Sequence, residues 1–168
     1  MSKDHKRNLY NILLNLSRNI FFYKITKLPD TFETRLYLMF FHFSILMIVS
    51  KFKGKKFNQE SYDYLFHNIE SNLRENGLGD VSVNKKMKEF NKILYDILLK
   101  LNLDKTLGVF KINRELIKTY FEIFNDKKQS NIDEFEQYFQ KFYDFCFEIP
   151  LDNMIEDSIK FKDLYGST

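Results

Sequence analysis

Ser71-Asn72-Leu73-Arg74-Glu75-Asn76-Gly77-Leu78-Gly79-Asp80-Val81-Ser82-Val83 is a corner between two helices. Before it, Tyr62, Leu65, Phe66, Ile69 and Leu73 recur at spacings of three and four, one apolar face of a helix. After it, Val83, Met87, Phe90, Leu94 and Ile97 repeat the pattern. Asn76-Gly77 predicts a helix stop, because glycine enters the left-handed region without steric cost. Gly79 is expected to take a second special backbone angle. Asp80 or Ser82 is expected to accept a hydrogen bond from the first free N–H groups of the next helix. The same spacing also suits a plain turn, and two helices with a turn name no function.

On the N-terminal side, Met1 to Asn8 is polar and expected to fray. Leu9, Ile12, Leu13, Leu16 and Ile20 form one helical face, which Phe21-Phe22-Tyr23 extends. Leu28-Pro29 breaks it, since proline disfavours helix at the residue before it. Asp30 or Thr31 can cap the next helix, with Glu33 favourable near its positive end. From Leu36 to Val49 only His42 and Ser44 are clearly polar. Fourteen residues fall short of the roughly 20 a membrane span needs, so this run predicts the central buried helix of a bundle, with a helix that touches a membrane as the alternative. His42 on that helix suits a core histidine with one satisfied hydrogen bond. Lys51 to Lys56 is a basic loop hinged at Gly54, without the fixed Gly-Lys-Ser/Thr order of a phosphate loop. It suits a solvated loop or a contact with RNA or anionic lipid.

On the C-terminal side, the helix from Val83 is expected to reach Leu101, followed by a short connection at Asp104–Leu107. Ile112, Leu116, Tyr120, Phe121 and Phe124 suggest a helix ending near Asn125. Ile132 to Phe147 carries the aromatic face Phe135, Tyr138, Phe139, Phe142 and Phe145, and Pro150 stops it. Met154, Ile155, Ile159 and Phe161 are available to dock the tail. No alternating strand pattern competes, so the expected class is all-α: one domain over residues 1–168, a bundle of about six to seven helices.

Composition narrows the classes. With 44% hydrophobic and 29% charged residues, the 168-residue chain should fold rather than stay disordered. Nineteen Phe and ten Tyr should outfill the core and leave rings at a surface for a partner. A net charge of +3 is no nucleic-acid signature. The charge is uneven, however. Met1 to Lys27 holds six Lys/Arg and one acid, and Asn131 to Thr168 nine acids and three Lys. The basic front suits solvated faces, or an approach to lipid or ribosomal RNA. Cys146 is the only cysteine, which excludes an internal disulfide and suits a buried apolar site. No secretory or transit pattern is visible at the start, so a bacterial or already trimmed protein is expected. His67 and Glu70 stand one turn apart, but the di-iron pattern needs further carboxylates on facing helices. No catalytic, metal or cofactor set is expected.

Leu73 to Val83, followed by Lys86-Met87, resembles the LRExGxGDLxV signature of the ubiquinol–cytochrome c chaperone family. A second block, Arg18, Phe22-Tyr23, Pro29-Asp30-Thr31, Arg35 and His42, resembles that family's R-x-x-x-FY…PDT-x-x-x-R…LH pattern. The resemblance covers residues 9–101, and Ile159-Lys160-Phe161 resembles a weaker C-terminal motif. Residues 105–168 would then be an acidic helical part. Asn68 and Glu70 stand where the family favours Asp-x-Asp, and a Gly-Arg pair usual after the later Phe is missing at Phe90-Asn91.

The resemblance implies an assembly chaperone without catalysis. Its client would be unassembled cytochrome b of ubiquinol–cytochrome c reductase, respiratory complex III. Contacts with the ribosome exit region, an anionic membrane surface and a small partner protein are implied as well. The place would be the bacterial cytoplasm at the inner membrane, or the mitochondrial matrix side. The residues implied to bind protein are Arg18, Tyr23, Asp30, Thr31, Arg35, His42, Arg74, Glu75, Gly77, Gly79 and Asp80, with the charges in one cluster at one end. Two other classes stay open: a small helical enzyme with a polar pocket at these charges, and a helical interaction module with another client. DNA reading is disfavoured, because Ser82-Val83-Asn84-Lys85-Lys86 offers few side chains to read bases.

Overall fold

Residues 2–101, 110–126 and 131–165 are described by the computed structural model, with helices and turns and no strand among them. In chain order the helices are α1 (Ser2–Ser17), α2 (Ile20–Lys24), α3 (Phe32–Phe52), α4 (Gln59–Glu75), α5 (Asp80–Lys100), α6 (Arg114–Tyr120), α7 (Ile132–Glu148), α8 (Met154–Ser158) and α9 (Lys160–Tyr165). Short 3₁₀ turns cover Glu122–Asn125 and Leu151–Asn153. The fold is all-α, as expected; among the described residues five long helices and four short ones are found where about six to seven were expected.

α3 is the spine. It is apolar on every side, and such a helix must be covered on every side. α1 and α5 cover part of it, α7 covers another face, and α4 packs on α1 and α5. Leu38, Phe40, Phe41, Phe43, Ile45, Leu46 and Val49 are fully buried. At 21 residues, about 30 Å, α3 is longer than the apolar run suggested, and is long and apolar enough to cross a membrane. Length therefore does not decide its place. Burial does: 67% of its apolar window lies inside the bundle.

Most phenylalanine rings are inside, and a smaller set than expected is left at the surface, with Tyr95 55% exposed. Fourteen of the nineteen phenylalanines are buried, and only Phe52 and Phe147 are exposed. α7 supplies the centre of the cluster. Its Phe139 lies 4.8 Å from His42 and 5.5 Å from Phe41, and its Tyr138 lies 4.6 Å from Phe22 and 5.1 Å from Phe161. Edge-to-face and offset geometries let rings fill volume that aliphatic chains would otherwise fill. The tail docks through Met154 and Phe161, both buried, with Ile155 and Ile159 half-buried.

Local chemistry moves several boundaries. α1 reaches back to Ser2, so the expected frayed start is helical backbone. It stops at Ser17, because Asn19 caps a new helix: its side-chain oxygen accepts from Phe21 N at 3.1 Å. Ile20, predicted on the apolar face, is therefore 47% exposed. α6 breaks at Phe121 before the 3₁₀ turn, whereas one helix to Asn125 was expected. The Asp104–Leu107 connection lies outside the described residues.

Candidate functional site

The corner after α4 is a glycine-stopped helix end. Gly77 has φ +90°, its N–H donates to Arg74 O at 3.0 Å, and Leu78 N–H donates to Leu73 O at 3.3 Å. That pair of bonds is the Schellman motif, with buried Leu73 and half-buried Leu78 as its apolar contact. Gly79 does not match its expected role. Its φ of −77° and ψ of 168° are ordinary extended backbone, and a Cβ there would meet nothing within 4 Å. Nor does a side chain cap α5: Gly79 is the cap residue, and no side-chain bond is made to the first N–H groups. Asp80 instead turns its carboxylate to Arg74, which also holds Glu70 at 3.1 Å. Two carboxylates on one guanidinium raise its pKa further. Glu70 thus takes an acidic role at one of the two positions where this sequence departs from the family pattern. Asn68 donates to Tyr64 O in its own helix, at 2.8 Å. Glu75 is exposed at the last position of α4.

The corner before α3 is built as expected. Thr31 caps the helix, its Oγ1 accepting from Thr34 N at 3.2 Å. Arg35 reaches back one turn, its Nε 3.5 Å from Asp30 Oδ1 and 3.4 Å from Thr31 O. Tyr23 O–H donates to Ser17 O at 2.8 Å. Burial, helped by the Asp30 charge and opposed by Arg35 and Arg18, pushes the Tyr23 phenol up to about 12. Tyr23 therefore stands in the field of three signature charges.

The two corners share one end of the bundle. A cleft of about 280 Å³ is lined by Arg18 and Arg35 from the first block and by Asn72 and Asn76 from the second. The expected single charge cluster is two: Asp30 with Arg35, and Glu70 with Arg74 and Asp80, and no ion pair joins them among the described residues. Tyr10 and Asn72 also hydrogen-bond across the cleft, tying α1 to α4. Reading the sequence for charge missed Tyr10, Asn72 and Asn76. The signal was there, since Ile69, Asn72 and Asn76 stand at helical spacing on one face.

His42 lies elsewhere. It is fully buried between α3 and α7, with two hydrogen bonds where one was expected. Nδ1 lies 2.7 Å from Leu38 O, which can only accept, so Nδ1 carries the proton. Nε2 then accepts from the Tyr138 hydroxyl at 2.7 Å. Burial pushes His42 down to about 3, against the Leu38 carbonyl, and raises the Tyr138 phenol well above its usual range. His42 is a core fastener and forms no part of the cleft. Cys146 is also buried, and burial raises its thiol pKa.

The cleft offers guanidinium and amide N–H donors, which suit carboxylate or carbonyl acceptors of a partner. Among the described residues no group of three or more His, Cys, Asp and Glu is placed to hold a metal. A family model described as Ubiquinol-cytochrome C chaperone matches residues 24–109, just over half of the chain, and the chain belongs to that family. No curated protein and no solved structure matches it. The match spans both corners and the whole of α3, α4 and α5, whereas Arg18 and Tyr23 precede it.

Proposed function

We propose that the protein is a chaperone for the assembly of respiratory complex III, holding unassembled cytochrome b until haem and partner subunits arrive. The observation that carries this reading is the family match over residues 24–109. The chemistry is that of holding, not reacting: the Arg18–Arg35–Asn72–Asn76 cleft presents donors to the polar loops of a client. In this reading the work is done where cytochrome b emerges, at the cytoplasmic face of a bacterial inner membrane or the matrix side of a mitochondrial one. The basic front would bring it to the ribosome exit. Lys3, Lys6 and Arg7 of that front lie outside the described side chains.

Deleting the gene tests this. The expected result is a loss of complex III and of the b-type haem signal, with cytochrome b message unchanged. Affinity purification of the tagged protein should recover cytochrome b. Full ubiquinol–cytochrome c reductase activity in the deletion strain, with no cytochrome b recovered, would leave a helical interaction module with another client.

A further inference from the structure

The far ends of α3, α4 and α5 enclose a second concavity. It measures about 630 Å³, within the ~300–1,000 Å³ of small-molecule sites. Met47, Leu94, Leu98 and Leu99 give it an apolar lining, and Leu99 is 67% exposed. Lys51, Lys55 and Lys56 stand along one edge, and none of them is in an ion pair among the described residues. Lys53, by contrast, is committed to structure: its ammonium donates to Ile149 O at 2.5 Å and holds the loop on α7. Beside the loop, exposed Phe52 and Phe147 lie 5.4 Å apart.

An occupant of this groove must be apolar along its length and anionic at one end. The three cations fall within six residues of sequence, so the positive charge is gathered on one edge of the apolar lining. An acidic amphipathic helix carries its charge along its whole length and would leave most of it unpaired here. A lipid has one anionic head and an apolar chain. We propose that the groove takes an acyl chain of an anionic phospholipid, with the phosphate against Lys51, Lys55 and Lys56, and docks this end of the bundle on an anionic bilayer. Lysine suits that role as a mobile point charge, and exposed Phe52 and Phe147 suit the interfacial layer. This does not depend on cytochrome b being the client.

Cosedimentation of the full chain with vesicles tests it. Binding is expected to phosphatidylcholine vesicles containing phosphatidylglycerol, weakly or not at all to phosphatidylcholine alone, and to fall with salt. The triple variant Lys51→Gln, Lys55→Gln, Lys56→Gln should lower the partition coefficient by roughly 100-fold, about 1 kcal/mol for each lysine. Leu99→Glu changes an exposed position, so the fold is spared, and it should also lower binding. Glycerol phosphate, a head without a chain, should compete poorly. Equal binding to both vesicle types overturns the proposal. So does wild-type binding by both groove variants, which would assign the contact to the basic front. Displacement by glycerol phosphate alone, or occupancy by an acidic amphipathic peptide without vesicle binding, overturns it as well.

Discussion

The two ends of α3 differ in what they do with charge. At the signature end, Asp30 is paired with Arg35, and Arg74 with Glu70 and Asp80, and Arg35 lines a cleft of about 280 Å³. At the other end, three lysines edge an apolar groove of about 630 Å³ with no ion-pair partner among the described residues. Paired charges fix geometry, because each guanidinium is oriented by its carboxylates before any partner arrives. Unpaired lysines fix little and keep their charge for something diffuse and anionic. The same helices therefore carry one end suited to a shaped protein partner and one suited to a surface.

If α3 is the common spine, damage at its middle must reach both ends. Phe40 is fully buried and stacks on Phe66 of α4 at 5.9 Å. Phe40→Ala should lose about 3–5 kcal/mol in a urea titration. Native-state hydrogen exchange should then show α4 amides near Asn76 and α3 amides near Lys51 opening at the same reduced free energy. Separate opening energies would mean that the two ends belong to different cooperative units.

Acid gives a second handle on the spine. His42 is neutral in the folded state, with its pKa lowered to about 3 against an unfolded value near 6.5. Between these values the unfolded chain binds a proton that the folded chain does not. Stability therefore falls as pH drops through 6.5 and goes on falling toward 3. From pH 7 to 5 this group alone should cost about 2 kcal/mol. His42→Gln, compared with wild type by urea titration at both values, should lack that part of the slope. Equal slopes would mean that His42 is already exposed to protons in the folded state.

Local signals carried the fold, and the places where they failed share a cause. The Leu36–Val49 run, the Pro29 break, the Thr31 cap and the Gly77 stop all act within a few residues, so the sequence displays them. The ring surplus at the surface is smaller than composition suggested, because composition does not say how closely rings nest, and Tyr138 and Phe139 of α7 do so at 4.9 Å. Of the candidate site, Arg18, Asp30, Arg35, Arg74 and Asp80 were readable from the two motif blocks. His42 belonged to the same pattern and sits in the core instead, because motif spacing does not separate a binding face from a packing face. The lysine-edged groove was half legible. Ile97-Leu98-Leu99 is more apolar than one helix face needs, yet its meeting with Lys51–Lys56 depends on three helices ending together.

The two glycines of the corner separate a required backbone from a permitted one. Gly77→Ala forces a side chain into the left-handed region and should cost about 1–2 kcal/mol. Gly79→Ser keeps the extended backbone and adds a capping hydroxyl to α5, so it should be neutral or gain a few tenths of a kcal/mol. Thermal unfolding of both variants reads the difference directly. A loss at Gly79 equal to that at Gly77 would mean that the corner is constrained by something other than its backbone angles.

The smallest stability effect is expected at Arg74. Arg74 is exposed, and its pairs with Glu70 and Asp80 lie in water, where the small screened Coulomb gain is offset by the entropy of holding the side chains in place. Arg74→Ala should leave the unfolding midpoint unchanged within error. If the paired charges serve to pre-orient the signature end for a protein partner, the same variant should still weaken cytochrome b capture, because Asp80 and Glu70 lose their common anchor. Vesicle binding at the other end should be untouched, since α5 carries the groove lining more than two turns away. Salt should separate the two ends as well: the groove's lysine contacts with an anionic surface should weaken steadily as salt rises. A drop in stability with no loss of capture would reduce the paired end to a structural clasp. Parallel loss of capture and vesicle binding would mean that the two ends form one surface.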